Sequence, residues 1–547
     1  MSVNGFALAA SIALLTVPLQ NTPAQIDHSH HEESGAPTNI GRVAFPTSCS
    51  AKAQVDLEKG VALLHSFWYE EATKEFDAAS AADPSCAMAH WGHAMSLFHQ
   101  LWENPDTAAR REALAALNSA RKSGSATPRE RAYIDALAQY YEVKPKAPAD
   151  TATPDERLHA YRDAMRDVTR KFPADDEAKV FYGLAIIAAG PYGDTTFTEQ
   201  KRADSVLLPL VAKYPTHPGL FHYIIHANDE PQLAPLALDA ARRYAQLAPA
   251  IPHAQHMPSH IFIRLGLWDD VIASNVLATE SGTAYARAEK MNGEWPHNLH
   301  TRDFLQYAYL QEGRDRDAQR IVDNVAHIEK VAARPSLLRF FQAYFSARQL
   351  VETGQWREAA RLRLTTPPDS TSTFSEMILA FTRAVGSARS GDPATARVEV
   401  TRLDSLSNYL AQRKDTAAAR EVKNLATAAS AWIQLALGNR DEAVRLARQA
   451  AANENDASET ALLPATELEG DLLLAVGRPG DARKAYEVAL RRTPNRARSV
   501  YGAAYAAAQS GDAVGAGRLY AQYIALMAHS DGTRPELVVA KQFVAAR

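Results

Sequence analysis

Small and large apolar residues recur along the chain at spacings that predict pairs of packed helices. Counted from Gly60, the residues at offsets of 12, 16, 19 and 24 are Ala72, Phe76, Ala79 and Pro84. Counted from Gly470, the same four offsets hold Ala482, Tyr486, Ala489 and Pro494. Small residues at such positions let two antiparallel helices approach closely, and the recurrence of the pattern predicts a stack of helix pairs.

Turn and capping signals mark further helix pairs between these two units. A glycine followed five residues later by Ala or Val occurs at Gly266/Val271, Gly313/Ala318, Gly354/Ala359, Gly391/Ala396, Gly438/Ala443 and Gly477/Ala482. Capping boxes with Pro at the first helical position begin two more helices, at Thr127 and Thr153. The sequence shows no alternating β-branched pattern of a strand. We therefore predict an all-α fold, a right-handed α-solenoid of stacked helix pairs.

This periodicity resembles the tetratricopeptide repeat (TPR) superfamily across nearly the whole chain after its leader. Three strings, DPSCAMAHWGHAMS at 83–96, HYIIHANDEP at 222–231 and HAQHMPSHIFIRLGLWDD at 253–270, are similar to exported bacterial TPR proteins with no established reaction. The resemblance implies a scaffold whose inner groove is lined by the first helix of each pair. It implies no enzyme mechanism.

The N-terminal residues have the pattern of a secretory signal. An apolar run at residues 6–17 is too short to span a bilayer, and Thr22-Pro23-Ala24 suits signal-peptidase cleavage. No Lys or Arg precedes Arg42, which leaves open an upstream start or a weak signal. We expect a periplasmic or secreted protein without a transmembrane segment. The predicted segments are a signal peptide (1–24), a flexible His-rich leader (25–50), and N-terminal (51–125), central His-rich (126–330) and C-terminal (331–547) TPR-like repeats.

Charge and cysteine content limit the partners and the compartment. Lys and Arg number 59 against 63 Asp and Glu, a net charge of −4 that argues against a nucleic-acid partner. The two cysteines, Cys49 and Cys86, form a candidate disulfide if the protein is exported. Two buried thiols are the alternative.

Histidines cluster in the central segment, at spacings that point toward one site. The pairs His222/His226 and His256/His260 are each four residues apart, so each pair projects from one helical face, and the second pair follows the first by 34 residues. In TPR proteins the corresponding positions resemble groove-facing ones. Imidazoles with flanking carboxylates are ligands for zinc, copper or iron. The predicted metal ligands are His222, His226, His256, His260, His300 and Asp303.

Two functions follow from this arrangement, and the sequence leaves both open. The first is an exported TPR scaffold that binds a protein or peptide partner, with a divalent metal as an optional component. Its predicted partner-binding residues are His253, Tyr307, Trp91 and Trp102. The second is a metal-dependent enzyme of hydrolase or oxidase type, in which an open coordination position activates water or dioxygen and the base is Asp303, Asp229 or Glu230. A polar groove without metal, in which the histidines are structural, competes with any metal site.

Overall fold

The protein is described by a computed structural model over residues 39–101, 103–143, 152–191, 194–332, 334, 336–369, 372–454 and 460–546. Within these residues the chain forms 26 α-helices and one 3₁₀ helix. Their β-structure is limited to one isolated bridge between Glu294 and Val331. The predicted all-α class is confirmed. The predicted signal peptide and residues 25–38 of the leader lie outside the described residues.

The chain forms two compact units. Of the described residues, the N-terminal unit contains those between 39 and 227 and Asp239–Ala254, and the C-terminal unit contains Asn228–Leu238 and those between 255 and 546. The repeat boundaries expected near residues 125 and 330 stay predictions.

The helices wholly or mainly in the N-terminal unit are α1 (Ala51–His65), α2 (Tyr69–Ala82), α3 (Ala87–Ser96), α4 (Thr107–Lys122), α5 (Pro128–Glu142), α6 (Pro154–Lys171), α7 (Asp176–Ala188), α8 (Thr198–Val211), α9 (Pro218–Ala227), α10 (Leu238–Leu247) and α11 (Pro252–His256). Each helix from α1 to α8 packs against the next one along the chain. Several odd-numbered helices also contact each other: α1 contacts α3, α3 contacts α5, and α7 contacts α9. This is the contact pattern of stacked helix pairs.

The C-terminal unit continues the same pattern. It contains the 3₁₀ helix Ala234–Ala237 and the helices α12 (Pro258–Leu265), α13 (Trp268–Ala288), α14 (Pro296–Gln311), α15 (Asp315–Ala326), α16 (Ser336–Glu352), α17 (Trp356–Ala359), α18 (Thr373–Arg389), α19 (Pro393–Gln412), α20 (Thr416–Ala436), α21 (Arg440–Ala452), α22 (Ala465–Ala475), α23 (Pro479–Arg492), α24 (Ala497–Gln509), α25 (Ala513–Leu526) and α26 (Pro535–Ala545). Here the even-numbered helices from α12 to α24 contact one another in series. The expected solenoid of helix pairs is therefore confirmed.

Local signals in the sequence explain these helices. Both predicted capping boxes form, with Thr127 and Thr153 each accepting a hydrogen bond from the backbone N–H three residues on. The predicted turn glycines all adopt positive φ, as Gly266 does at 65° after α12. A left-handed residue after the last helical turn ends a helix with little strain when it is glycine.

The repeat glycines allow a large aromatic side chain to lie against two helices. A Cβ atom on Gly92 would lie 2.2 Å from the ring of Phe76, and one on Gly60 would lie 2.8 Å from it. In the C-terminal unit, Gly502 and Gly470 have the same relation to Tyr486, at 2.3 and 2.7 Å. The spacing found in the sequence therefore reflects direct contact, because only glycine fits beneath these rings.

An aromatic core anchors the start of the N-terminal unit. The ring of Trp91 packs against Phe45 and Phe181, with centroids 5.6 and 5.5 Å apart, and Trp91 is 1% exposed. Cys49 and Cys86, the pair nominated from the sequence, are joined by a disulfide. Trp91 therefore lies in the core and offers no surface for the partner contact predicted for it.

Among the described residues, no helix combines the length and apolar character needed to cross a bilayer.

Candidate metal centres

Six histidines are grouped in threes, one group in each unit. We name His222, His226 and His253 the N-terminal triad, and His256, His260 and His300 the C-terminal triad. Within each triad, one ring nitrogen from every member lies within 4.8 Å of those of the other two. His226 and His300 are half-buried and the remaining four are buried.

Helix α9 supplies two members of the N-terminal triad from one face. His222 and His226 stand one turn apart, and their Nε2 atoms are 3.1 Å apart. His253, at the start of α11, places its Nε2 atom 3.1 Å from that of His222. The Nε2 atom of His222 is thus shared by two close neighbours.

A backbone carbonyl fixes the tautomer of His222. Its Nδ1 atom lies 2.7 Å from the carbonyl oxygen of His65, which can only accept a hydrogen bond. Nδ1 therefore carries the proton, and in the neutral ring the Nε2 atom presents its lone pair to His226 and His253. A hydrogen bond from the far nitrogen of the ring is a regular feature of imidazoles that bind metals.

Phe67 lies against all three rings of the N-terminal triad. Its ring centroid is 4.3 Å from that of His222, 5.5 Å from that of His226 and 5.8 Å from that of His253. The residue has φ of 55°, which is strained for a bulky side chain. Such strain is found where surrounding structure holds a side chain in a required place, often at functional sites.

The C-terminal triad also combines an i, i+4 pair with a third ring from another helix. His256 ends α11 and His260 lies in α12, and their Nε2 atoms are 3.1 Å apart. His300 comes from α14, and its ring centroid is 4.5 Å from that of His256. The ring of Phe304 packs against all three, with centroid distances of 4.8, 4.8 and 5.2 Å.

Two polar side chains orient the rings of this triad. The Nδ2 atom of Asn275 donates to the carbonyl of Val271, so its Oδ1 atom faces His256 Nδ1 at 2.6 Å. The Nδ1 atom of His260 donates to Asp229 Oδ2 at 2.9 Å. Both Nδ1 atoms are therefore protonated. In their neutral forms, His256 and His260 direct two Nε2 lone pairs at each other.

Electrostatics favour neutral imidazoles in the C-terminal triad. Burial, followed by the neighbouring imidazoles of His300 and His260, lowers the pKa of His256 well below its ordinary value. The pKa of His300 is lowered in the same way, by burial first and then by His260 and His297. Two facing lone pairs repel each other, and either one proton or one cation between them removes the repulsion.

The spacing of the nitrogen atoms suits a transition metal. Metal–imidazole bonds of about 2.05 Å at a tetrahedral angle would separate two ligand nitrogens by about 3.3 Å. The Nε2 atoms of His222 and His253, of His222 and His226, and of His256 and His260 are each 3.1 Å apart. Both triads therefore have the donor type, and two nitrogen pairs in the N-terminal triad and one in the C-terminal triad have nearly the spacing that such an ion requires.

A third group of residues with metal-ligand side chains, His65, Glu177 and His217, is held together by hydrogen bonds to a carboxylate. Glu177 accepts hydrogen bonds from the Nε2 atoms of both His65 and His217, and Tyr223 donates to His65 Nδ1 at 2.8 Å. Burial alone would raise the pKa of Glu177, but the two imidazoles hold it well below its ordinary value. Hydrogen bonds to the shared carboxylate of Glu177 therefore explain why the rings of His65 and His217 lie close together. The group supports the N-terminal triad, because the His65 carbonyl orients His222.

Asp303 and Tyr307 lie outside both triads. The Asp303 carboxylate is paired with Arg348, which is fully buried, and its Oδ2 atom accepts a hydrogen bond from Thr460 at 3.2 Å. The hydroxyl of Tyr307 accepts a hydrogen bond from Arg496 at 3.0 Å, and Tyr307 is 1% exposed. Asp303 is therefore engaged in an ion pair, and Tyr307 is in the core. Trp102 lies outside the described residues.

Some parts of these centres differ from the sequence prediction or are missing from it. The sequence places His253 among the partner-binding residues, but it belongs to the N-terminal triad. The sequence signal that could have placed His253 in the triad is its position three residues before His256, close to the other histidines. Phe67, Phe304 and Asn275 carry no sequence signal, because a lone aromatic or amide residue in a helical pattern is indistinguishable from a packing residue.

Comparisons with known proteins give little information. No protein-family model matches the sequence, and no curated protein does. Yeast Tom70 is similar at 12% identity over 80% of this chain and 90% of that chain, with a TM-score of 0.32. A monomeric IFIT1 mutant with m7Gppp-AAAA is similar at 12% identity over 88% and 98%, with a TM-score of 0.33. The P58(IPK) TPR domain is similar at 12% identity over 91% and 99%, with a TM-score of 0.21. These structural similarities are too weak to support a conclusion about fold or function. The fold assignment therefore depends on the helices of this chain and their contacts.

Proposed function

We propose that this chain is a helical-repeat scaffold that binds two divalent transition-metal ions, one at each histidine triad. Zinc, copper and iron(II) all accept imidazole ligands. The observation that carries the proposal is the 3.1 Å separation of the His256 and His260 Nε2 atoms, whose lone pairs face each other because both Nδ1 atoms are protonated. The ligands are the two triads, with His253 taking the place that the sequence suggested for Asp303.

Metal content measured on matched variants tests this function. The full chain is stripped with a chelator, loaded with excess zinc, dialysed and analysed for bound metal. We expect His222→Ala and His256→Ala each to bind about one ion fewer than the unmodified chain, because each variant loses a ligand of one triad. His327→Ala is the control, since that exposed imidazole bonds only to a backbone carbonyl one turn earlier.

Comparison between variants removes any contribution from the leader histidines, which all four proteins share. A chain that retains no zinc, copper or iron, and whose melting temperature does not rise with any of them, would contradict the proposal. In that case, the facing nitrogens share a proton and the triads are structural.

We further propose that the protein is exported to the periplasm or secreted. The Cys49–Cys86 disulfide supports this, because structural disulfides persist in oxidising compartments. The test is the mass of the chain recovered from the cell envelope or medium. Cleavage after Ala24 is the expected result, and an intact N-terminus in the reducing cytoplasm is the contrary one.

A metal-dependent enzyme of hydrolase or oxidase type is the second candidate. It is favoured by the number of imidazoles, since catalytic zinc sites have three protein ligands and structural sites have four. Its test is turnover of simple ester and phenol substrates by metal-loaded protein. Activity that needs the metal and disappears in His256→Ala would support it, and equal rates in the loaded and stripped protein would exclude it for those substrates.

We also propose that the scaffold binds a protein or peptide partner. The repeat architecture supports this proposal, because stacked helix pairs expose long continuous faces. Trp91 and Tyr307 cannot contact such a partner, since each is only 1% exposed. Capture experiments that compare the intact chain with the His222→Ala/His256→Ala double variant would show whether binding of a partner depends on the metal. A partner retained equally by both would place the two functions in separate parts of the scaffold.

A further inference from the structure

The last residue of α1 orients the N-terminal triad. The final carbonyl groups of a helix have no partner within that helix, and His65 ends α1. The carbonyl of His65 accepts a hydrogen bond of 2.7 Å from Nδ1 of His222. Two residues further on, the ring of Phe67 packs against the His222 ring with a centroid distance of 4.3 Å. The position of this turn therefore determines how the His222 ring is held.

Hydrogen bonds to two other helices fix the side chain of His65. Its Nε2 atom faces the carboxylate of Glu177 in α7, which can only accept, so Nε2 carries the proton. In the neutral ring Nδ1 is then the acceptor, and it receives a hydrogen bond of 2.8 Å from the hydroxyl of Tyr223 in α9. The ring of His65 thus joins the end of α1 to both α7 and α9.

The carboxylate of Glu177 is itself held in place. Its Oε2 atom accepts a hydrogen bond of 3.0 Å from Nε2 of His217, which lies between α8 and α9. His65, Glu177 and His217 are all buried, at 0%, 7% and 4% exposure. A Cβ atom on Gly219 would lie 2.7 Å from Nδ1 of His65, so glycine at this position leaves room for the ring beside α9. A buried chain of hydrogen bonds therefore connects Glu177 to His222.

We propose that Glu177 is a positioning residue that sets the metal affinity of the N-terminal triad through His65. This inference rests on the proposed metal-binding function. Loss of a group that holds a metal-binding imidazole in place typically lowers metal affinity by about 10- to 100-fold. Glu177 acts on His222 through one further residue, so we expect an effect at the lower end of this range.

Zinc affinity in the full-length His256→Ala variant, which keeps the N-terminal triad intact, tests this role. Competition with a chromophoric chelator measures the dissociation constant. Glu177→Leu keeps a side chain of similar size but accepts no hydrogen bond, and it should raise the dissociation constant by about tenfold. Glu177→Gln should restore most of the affinity, since its amide oxygen accepts from His65 and its NH2 group can donate to the other tautomer of His217.

Glu130→Leu, in the same background, is the matched control. Glu130 belongs to the same unit, is 1% exposed, and accepts hydrogen bonds from the backbone N–H and the hydroxyl of Ser48, at 2.6 and 2.9 Å. Both leucine variants should lower the melting temperature, because each removes a buried acceptor from its donors. The zinc dissociation constant should rise in Glu177→Leu and stay unchanged in Glu130→Leu, which separates positioning from general destabilisation.

The outcomes separate this inference from the function on which it rests. If the His256→Ala variant binds no zinc, the proposed metal function fails for the N-terminal triad, and this inference fails with it. If that variant binds zinc and Glu177→Leu leaves its affinity unchanged, only this inference is overturned. It is also overturned if Glu177→Leu removes a zinc ion from the His222→Ala/His256→Ala double variant, since the group around Glu177 would then hold metal itself.

Discussion

The Nδ1 atom of His260 donates a hydrogen bond of 2.9 Å to Oδ2 of Asp229, and both residues are buried. The other carboxylate oxygen of Asp229 accepts a hydrogen bond from Arg264. The carboxylate is thus held between a guanidinium and an imidazole, which fixes the plane of the His260 ring. Asp229 is a positioning residue, since it acts on the proposed metal through His260.

Asp229→Asn should weaken metal binding at the C-terminal triad by about 10- to 100-fold, the range found when such supporting groups are lost. The amide oxygen can still accept from His260, but it lacks the charge that raises the basicity of the ring. Competition with a chromophoric zinc chelator, in the His222→Ala background, measures the affinity.

Asp303→Asn is the matched control for this change. Asp303 is also a carboxylate paired with a buried arginine, Arg348, but it lies outside both triads. We expect the control to lower stability and leave zinc affinity unchanged. Equal zinc affinity in Asp229→Asn and the unmodified chain would argue against a role for Asp229 in the centre.

Gly92→Ala should destabilise the N-terminal unit by about 1–3 kcal/mol, the usual cost of overpacking. The new Cβ atom would lie 2.2 Å from the ring of Phe76, so the helix or the ring must move. Gly124→Ala is the control, because a Cβ atom there meets nothing within 4 Å. Urea unfolding compares the two variants. A Gly92→Ala protein as stable as Gly124→Ala would show that the close approach is not required.

Loss of the Cys49–Cys86 disulfide should lower the free energy of unfolding by about 2–4 kcal/mol. The bridge links residues 37 apart, and its removal frees the unfolded chain to adopt many more conformations. Unfolding in urea with and without a reductant measures the difference. The Cys49→Ser/Cys86→Ser variant should be insensitive to reductant, and an equal reductant effect in that variant would assign the loss to another cause.

Ionisation of Glu312 should lower the free energy of unfolding as the pH rises from about 5 to about 8. Burial, followed by the nearby charge of Asp269, raises its pKa from 4.5 to about 7. The folded state therefore favours the protonated carboxyl, and this contribution is complete below the unfolded pKa and lost as the pH passes through about 7.

Glu312→Gln removes the titrating group, so its melting temperature should fall less over the same pH range. The expected difference corresponds to about 1–3 kcal/mol at the upper pH, since one pKa unit is about 1.4 kcal/mol. Parallel pH profiles for the variant and the unmodified chain would contradict the assignment to Glu312.

Local sequence patterns predicted the helical fold because helices and their ends depend on neighbouring residues. Gly60 and Phe76 belong to one repeat, and their spacing indicated the close contact that the structure contains. The capping boxes at Thr127 and Thr153 likewise act within four residues. The pair His222/His226 followed from the pitch of one helix, α9. His256 and His260 were also predicted on one helix, but they lie at the end of α11 and in α12, which Met257 separates.

The sequence alone determined the helical repeats, the turns and the two histidine pairs, since each is set by interactions within about one repeat. Only the tertiary structure decided which groups complete and surround those pairs. The carbonyl of His65, 157 residues away, orients the ring of His222. The carboxylate of Asp303 forms an ion pair with Arg348, 45 residues away. Such contacts depend on how successive helices stack. Their stacking is governed by packing over the whole unit, which a local spacing of residues does not record.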